Sequence, residues 1–304
     1  MPRRSLNSSP GLSLRLSLAS AVGAVVAALC LGGPAFAQPL VGQDWLKTHL
    51  RAPGVVVLDI RPRNQAAAGH IPAAVPADYE TAGWRVKTPD GAGGALPPIE
   101  QIAATIAGLG VGDSDKAVIV GDDFGATARV YWTFKVLGHA DVSILDGGAK
   151  GWTTAGNPVE TAAVTPRQAS FTPHYDPSIR AELTEVERTL ADGNRTLIDA
   201  RPPGQWHGTA KSPAVRAFGR LPNAVWIDQS DALTADGTAL KPKAELVALF
   251  GKAGDAPITT YCNTGHLAAT DWFVLSEVLH RPDVRLYDAS LSQWTNDPAR
   301  PIVK

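Results

Sequence analysis

Cysteine is almost absent from this sequence, and basic residues show no excess. The 304 residues contain two cysteines, Cys30 and Cys262, and carry a formal net charge of −1. Nothing indicates nucleic-acid binding, which requires a strongly basic surface. Metal-ligand spacings such as paired Cys-x-x-Cys are also missing, so no metal or organic cofactor is expected.

Long apolar segments are scarce, and the one candidate lies in residues 1–37. Arg3, Arg4 and Arg15 precede the stretch LSLASAVGAVVAALCLGG, and a small-residue site ends at Ala37. This order is typical of a secretory signal peptide, here cleaved after Ala37. A membrane anchor and a buried first helix are the alternatives. The stretch is short and rich in Ala, Gly and Ser for a spanning helix, which needs about 20 apolar residues.

Cleavage would change both the charge and the cysteine content. It removes three arginines and no acid, which leaves 267 residues with a formal charge of −4. A chain of this length accommodates two domains. We expect a periplasmic or secreted protein with no membrane segment after cleavage. Cys262 would be its only cysteine, unable to form an internal disulfide, and therefore either a small buried hydrophobe or a functional thiol.

The remaining chain contains one pattern twice, which is the signature of a duplicated unit. Asp59 and Asp199, 140 residues apart, each end an apolar run in Asp-x-Arg-Pro. Gly125 and Gly265, also 140 apart, each lie between a strand-like run and a helix-like run. Two further pairs of segments keep the same order: SILDGGAKGW (143–152) with RLYDASLSQW (285–294), and GHIPAAV (69–75) with GRLPNAV (219–225). The last pair is 150 residues apart, so the second copy has ten extra residues before GRLPNAV.

Each copy reads as strand, loop, strand, helix, strand. The short apolar strands predict a parallel sheet buried on both faces, and the helical patterns between them predict an α/β fold. We therefore predict an N-terminal domain over 38–156 and a C-terminal domain over 181–304. A linker over 157–180, with four prolines, joins them, and the Gly- and Pro-rich residues 77–98 form a loop insertion in the first domain.

Cys262 follows a strand-like run and precedes a helix predicted to begin near Leu267. The turn CNTGHL between them points successive backbone N–H groups and a helix N-terminus at one spot, a nest that attracts anions and stabilises a thiolate. Gly265 permits the tight backbone conformation that such a turn needs. A nucleophilic thiolate surrounded by amides suits the transfer of sulfur.

Taken together, the CNTGHLA turn, the paired D-x-R-P strands, the GHIP segment and the LDGG…W ending resemble tandem rhodanese-family sulfurtransferases. The resemblance covers nearly all of 40–300 and implies two sheets flanked by helices, with only the C-terminal copy active. It also implies that Cys262 carries sulfur as a persulfide. The residue that matches Cys262 in the first copy is Asp122, and its carboxylate cannot form a persulfide. The resemblance makes the loop after the cysteine the substrate-binding segment: Asn263, Thr264, Gly265, His266, Leu267 and Ala268.

The resemblance leaves the sulfur donor open. Relatives that favour thiosulfate carry basic residues after the cysteine, and those that favour 3-mercaptopyruvate carry Gly and Ser or Thr. This loop matches neither pattern. The family keeps an arginine where Arg201 stands, but Arg61 occupies the same place in the first copy, so Arg201 has either a binding or a structural role. Gln205 replaces a second arginine of thiosulfate-using relatives, and three basic residues downstream are candidates to compensate for it: Lys211, Arg216 and Arg220.

Other kinds of cysteine chemistry are tested by the same loop. A cysteine phosphatase needs an arginine where this chain has Ala268, and a thioredoxin-like protein needs a second cysteine where it has Gly265. A cysteine hydrolase with His207 or His266 as base stays open, although no local signature supports it. The expected partners are a small sulfur donor and a thiol or cyanide-like acceptor. The alternatives to a turning-over enzyme are a carrier that exchanges sulfur with a partner protein and a non-catalytic scaffold.

Overall fold

A computed structural model describes residues 38–304 of the chain. The predicted signal peptide, with Cys30, lies outside the described residues. The strands are β1 (Leu40–Val41), β2 (Val55–Asp59), β3 (Val75–Pro76), β4 (Lys116–Val120), β5 (Val142–Leu145), β6 (Thr196–Asp199), β7 (Val225–Trp226), β8 (Ile258–Tyr261) and β9 (Val284–Leu286).

The α-helices lie between and beside these strands. They are α1 (Gln43–His49), α2 (Arg63–Ala68), α3 (Ile99–Gly108), α4 (Phe124–Val136), α5 (Gly148–Thr154), α6 (Leu183–Asp192), α7 (Pro203–Trp206), α8 (Lys243–Phe250), α9 (His266–Phe273) and α10 (Ser290–Trp294). No helix in this part of the chain is long and apolar enough to cross a bilayer.

The strands form two parallel sheets, in the orders β1-β5-β4-β2-β3 and β7-β6-β8-β9. The predicted α/β fold with two sheets flanked by helices is therefore confirmed. Strands β2 to β5 correspond to β6 to β9 in order and pairing, and β1 is an additional edge strand of the first sheet. The central strands are buried on both faces, which explains why their sequences are continuous apolar runs rather than alternating ones.

Local sequence signals account for the ends of several helices. Helix α6 stops at Gly193, whose φ of 65° is the left-handed conformation of a helix C-terminus. Helix α4 begins after Asp123, whose carboxylate accepts a hydrogen bond from the Ala126 N–H. The predicted domain limits of 38–156 and 181–304, with a linker over 157–180, stay predictions.

The helices that follow the two central strands, α4 and α9, pack against each other and join the two sheets. Phe273 of α9 makes edge-to-face contacts with Phe124 and Tyr131 of α4, at centroid distances of 5.6 and 4.9 Å. The Tyr131 hydroxyl donates to Glu277 just beyond α9, at 2.6 Å. This contact places the loops that precede α4 and α9 close to one another.

Residues 77–98, predicted as a loop insertion, contain no helix or strand and reach across to the second sheet's loops. The Leu96 N–H donates to the Asp288 carboxylate at 2.6 Å, and the Gly93 carbonyl accepts from Ser292 at 2.8 Å. The segment thus belongs to the surroundings of the loop that carries Cys262.

Candidate active site

Cys262 lies at the carboxyl end of β8, the central strand of the second sheet, and is 1% exposed. It is the only cysteine in the part of the chain that the structure describes. Four residues, 262–265, connect β8 to α9. The Cys262 N–H donates to Ser290 Oγ at 3.0 Å, and its carbonyl accepts from the Leu291 N–H at 3.2 Å. The backbone at Cys262 is therefore held at both its donor and its acceptor.

Gly265 gives this loop its shape. Its φ of 73° is left-handed, and a Cβ on it would lie 2.3 Å from the Asp288 carbonyl oxygen. No residue other than glycine fits there without moving backbone. Within 38–304, the N–H groups of Asn263, Thr264 and Gly265 donate no hydrogen bond to backbone acceptors. Together with the free N–H groups at the start of α9, they can receive an anion or a thiolate.

Ser290 supports the loop and was missed at the level of sequence. It is fully buried, and its hydroxyl donates to the Tyr287 carbonyl at 2.6 Å while accepting from Cys262. Its φ of 50° is unusual for a residue with a side chain. The corresponding residue of the SILDGGAKGW echo is Gly148, with φ of 60°. This replacement of glycine by serine in the second copy was the signal that could have found it.

The sheet registers correct one prediction about the first copy. Asp199 lies opposite Tyr261 and Asp59 opposite Val120, so Gly121, not Asp122, occupies the place of Cys262. Only three residues, 121–123, connect β4 to α4, one fewer than in the second copy. A fixed sequence offset hides this difference because the extra residue is inserted in the turn itself. Neither Gly121 nor Asp122 offers a thiol.

The first copy's loop is used for structure. The Asp122 carboxylate accepts from the Lys150 N–H at 2.7 Å, and Asp123 caps α4. Beside this loop lies a cavity of about 340 Å³, which His266 of the second copy also lines. The region corresponding to the Cys262 site is thus an acidic cavity without a nucleophile.

The His266 side chain contacts the first domain. Its Nε2 lies 3.1 Å from the Asp123 carboxylate, and its ring packs edge-on against Tyr79 at 5.3 Å. Burial alone would raise the pKa of Asp123, but the hydrogen bond and charge of His266 lower it below its usual value. His207, the other base considered for a hydrolase, packs against Trp226 at 5.6 Å. Neither histidine hydrogen-bonds to Cys262 in the described chain, so the hydrolase hypothesis gains no support.

Arg201 is occupied by structural contacts. Its guanidinium donates to the Asp199 carboxylate at 2.6 Å and to the Gly219 carbonyl at 2.9 Å, and it is 1% exposed. Arg61 makes the same pair of contacts in the first copy, to Asp59 and to a glycine carbonyl. Because the first copy, which has no cysteine among the described residues, repeats the arrangement, these contacts favour the structural role.

The other predicted site residues divide into two groups. Gln205 reaches the loop, since its Oε1 accepts from Asn263 Nδ2 at 2.8 Å, and the Asn263 Oδ1 is buried without a partner in the described residues. Thr264 packs against Gly94 of the 77–98 insertion. Ala268 is fully buried and Leu267 packs on the core, so their side chains anchor α9, and their part in substrate binding stays a prediction.

Helix α9 also carries an unpaired buried acid. Both carboxylate oxygens of Asp271 are buried without a hydrogen-bond partner among residues 38–304. Burial raises the pKa of Asp271 well above its ordinary value, and the nearby charges of Asp228, Asp199 and Asp231 raise it further. This carboxyl is consequently neutral over a wide pH range.

Comparison with known proteins gives matches that cover both domains. The family model of the rhodanese-like domain matches residues 42–155 and 182–297. A thiosulfate sulfurtransferase of Corynebacterium glutamicum is 31% identical over 284 residues, which cover 88% of this chain and 91% of the relative. The sulfur carrier protein TtuD of Thermus thermophilus is 32% identical over 288 residues, covering 90% of this chain and 99% of the relative.

Among solved structures, the chain is similar to SseA from Escherichia coli, a 3-mercaptopyruvate sulfotransferase. The two share 29% identity with a TM-score of 0.74, over 83% of this chain and 98% of that one.

Proposed function

The chain belongs to the rhodanese family of sulfurtransferases, and we propose that Cys262 carries sulfane sulfur as a persulfide from a small donor to a thiol or cyanide-like acceptor. One observation carries the proposal: the only cysteine among residues 38–304 lies in a loop with free backbone N–H groups at the start of a helix. The corresponding loop of the first domain is shorter and has no thiol.

The proposed cycle has two displacements at sulfur. The Cys262 thiolate attacks the sulfane sulfur of the donor, a new S–S bond forms, and the donor's bond to that sulfur breaks. Sulfite leaves if the donor is thiosulfate, and pyruvate, after taking up a proton, if it is 3-mercaptopyruvate. An acceptor thiolate or cyanide then attacks the outer sulfur, and the electron pair of the breaking S–S bond returns to Cys262. The N–H groups of 263–265 stabilise the anionic persulfide.

Thiosulfate is our first choice of donor and 3-mercaptopyruvate the second. The names of the relatives support both, whereas the side chains predicted to bind the donor supply no unpaired cation for tight binding of a dianion. Arg201 is paired with Asp199, and Gln205, bonded to Asn263, is neutral. We therefore propose that a dianionic donor binds weakly and that its KM is high.

Steady-state assays with each donor and cyanide test this function. We expect measurable turnover that disappears in Cys262→Ser, and a rate linear in thiosulfate concentration well into the millimolar range. Low-millimolar saturation by thiosulfate would contradict the inference about charge. If none of the donors gave turnover, the proposal that the protein is an enzyme would be contradicted.

A sulfur carrier that exchanges with a partner protein is the second candidate. The similarity to the sulfur carrier protein TtuD supports it. A carrier would take up one sulfur in a single turnover and then release it slowly to cyanide. In an enzyme, the single-turnover rate and the steady-state rate would differ by less than about tenfold.

We also propose that the protein is exported to the periplasm or secreted, on the strength of the charged, apolar and small-residue order in residues 1–37. N-terminal sequencing of the protein recovered from outside the cytoplasm should begin at Gln38. Recovery of an intact Met1 terminus in the cytoplasmic fraction would contradict this.

A further inference from the structure

The second domain differs from the first in a segment that follows α7 and carries only positive charge. Residues 207–220 contain Lys211, Arg216 and Arg220 and no acidic residue, although the chain as a whole is slightly acidic. This is the region with ten residues more than the corresponding part of the first copy. We call Lys211, Arg216, Arg220 and the neighbouring Phe218 the basic rim.

The cations of the basic rim have no acidic partners. The Lys211 ammonium donates to the Val215 carbonyl at 3.0 Å, and Arg220 stacks on Trp206 while donating to its carbonyl at 3.2 Å. Lys211 and Arg216 are exposed. None of the three forms an ion pair with a carboxylate within the described residues. Their charge is therefore available to a molecule that approaches from solvent.

The basic rim adjoins the catalytic loop on two sides. It follows α7, whose Gln205 is hydrogen-bonded to Asn263 at 2.8 Å. The Arg216 N–H donates to Thr295 just beyond α10, the helix that begins at Ser290. The Arg216 guanidinium also lies beside Gly91, in the 77–98 segment that packs on Thr264. A molecule bound to the rim would stand next to the loop that holds Cys262.

The rim also exposes an aromatic side chain. Phe218 is 42% exposed, and the Lys211 ammonium lies 5.8 Å from the centre of its ring. Aromatic and arginine side chains are enriched at protein interfaces. A small acceptor such as cyanide gains nothing from such a surface, whereas a polypeptide contacts charge and ring together.

We propose that the basic rim docks an acidic polypeptide whose cysteine accepts the sulfur from Cys262. The inference rests on the proposed function, because the acceptor step needs the persulfide. The acceptor cysteine thiolate attacks the outer sulfur, the S–S bond to Cys262 breaks, and the electron pair returns to the Cys262 thiolate. The acceptor leaves as a persulfide, with no external oxidant or reductant. The acidic cavity beside Asp122 and Asp123 would repel the same polypeptide, so docking is confined to the catalytic domain.

Three synthetic peptides test the proposal, each with one cysteine flanked by four Glu, four Lys or four Ser. The full-length protein is loaded to one persulfide per chain, as verified by intact mass, and the rate of sulfur transfer to each peptide is measured. The variant Lys211→Glu with Arg216→Glu is compared with a control, Lys243→Glu with Lys252→Glu. Both control lysines are exposed, one on α8 and one on the turn after it. Helix α8 packs on residues 229–232.

The informative quantity is the rate of sulfur transfer to the Glu peptide divided by the rate of transfer to the Lys peptide. The Ser peptide gives the rate for a neutral acceptor. Comparing this ratio between variants cancels the intrinsic reactivity of each thiol. We expect the ratio to be at least about tenfold higher in the control than in the rim variant at 0.05 M salt, and the difference to shrink at 0.5 M.

Equal ratios in the two variants would overturn the inference while leaving the persulfide relay intact. A wild-type protein that never becomes persulfidated would instead overturn the proposed function. If vesicles of anionic phospholipid bind the control but not the rim variant, and the peptide ratios are equal, the surface is a membrane contact and the proposal is wrong.

Discussion

The two domains share one sheet topology but differ in how the central strand meets the next helix. In the second domain, four residues with a left-handed Gly265 separate β8 from α9. In the first domain, three residues separate β4 from α4, and Asp123 caps the helix at once. The longer turn carries Cys262 and a glycine directly before its helix, whereas the shorter turn carries no thiol and an aspartate cap.

The first domain's loop differs by more than the missing thiol. It is one residue shorter, and its aspartates are engaged with Lys150 and with the start of α4. The same fold thus supports a thiol-bearing loop in one copy and an aspartate-capped helix in the other. Substitutions that cross the two copies separate these contributions.

The largest expected effect comes from moving the thiol. In a Cys262→Ser background, Gly121→Cys and Asp122→Cys should each stay about a thousandfold or more below the wild-type rate, because the short loop places the new thiol beside the acidic side chains of the cavity, which disfavour a thiolate. Cyanide-dependent turnover measures this. Activity within tenfold of wild type in either variant would mean that the loop geometry is dispensable.

The paired glycines should respond unequally. Gly265→Ala forces a Cβ to within 2.3 Å of the Asp288 carbonyl oxygen, a backbone atom. We expect a loss of kcat/KM of about a hundredfold and of roughly 1–3 kcal/mol in the free energy of unfolding. Gly125 lies inside α4, and a Cβ there meets the ring of His266, which can move. Gly125→Ala should therefore keep activity within about threefold. Equal losses of kcat/KM and of melting temperature in Gly265→Ala and Gly125→Ala would contradict this expected difference between the two positions.

Ser290, which replaces Gly148 of the silent copy, separates strain from hydrogen bonding. Ser290→Ala and Ser290→Gly both remove the acceptor of the Cys262 N–H, so both should lower kcat/KM by about tenfold. Ser290→Gly should be the more stable by about 1 kcal/mol, because glycine adopts φ of 50° without strain. Ser292→Ala, which does not touch Cys262, is the control. A wild-type rate in Ser290→Gly would remove Ser290 from the positioning of the loop.

The smallest effect concerns Asp271, the unpaired buried acid of α9. The folded pKa of Asp271 lies above its unfolded value of about 4, so the folded state holds a proton that the unfolded state has released. Stability from this group is present below that unfolded value and is lost as pH rises toward the folded pKa. Asp271→Asn should thus raise the melting temperature relative to wild type by more at pH 7 than at pH 4. A pH-independent difference would mean that the carboxyl is ionised in the folded protein.

Much of the architecture could be predicted from the sequence because buried parallel strands leave continuous apolar runs that recur at a fixed offset. Asp59 and Asp199 end the strands that pair with the central strands β4 and β8, and their arginine partners Arg61 and Arg201 form the same contacts. The position of Cys262 in a turn between a strand and a helix was also predictable, since an apolar run precedes it and a glycine and a helical pattern follow it.

Side-chain direction and loop length were not predictable. Asp122 was matched to Cys262 by offset, but the pairing of β4 with β2 places Gly121 there. His266 was considered beside the thiol, yet the packing of α9 on α4 turns it toward Asp123. The role of Ser290 depends on a φ value that no composition rule indicates. Each of these features arises from contacts between segments far apart in sequence.

The most direct test of a persulfide at Cys262 is the intact mass of the protein after incubation with thiosulfate, 3-mercaptopyruvate or a thiosulfonate. We expect wild type to gain one sulfur, about 32 Da, and to lose it again on treatment with cyanide. Cys262→Ser should gain nothing with any donor. A sulfur adduct that persists in Cys262→Ser, or the lack of any adduct in wild type, would contradict the persulfide relay at Cys262.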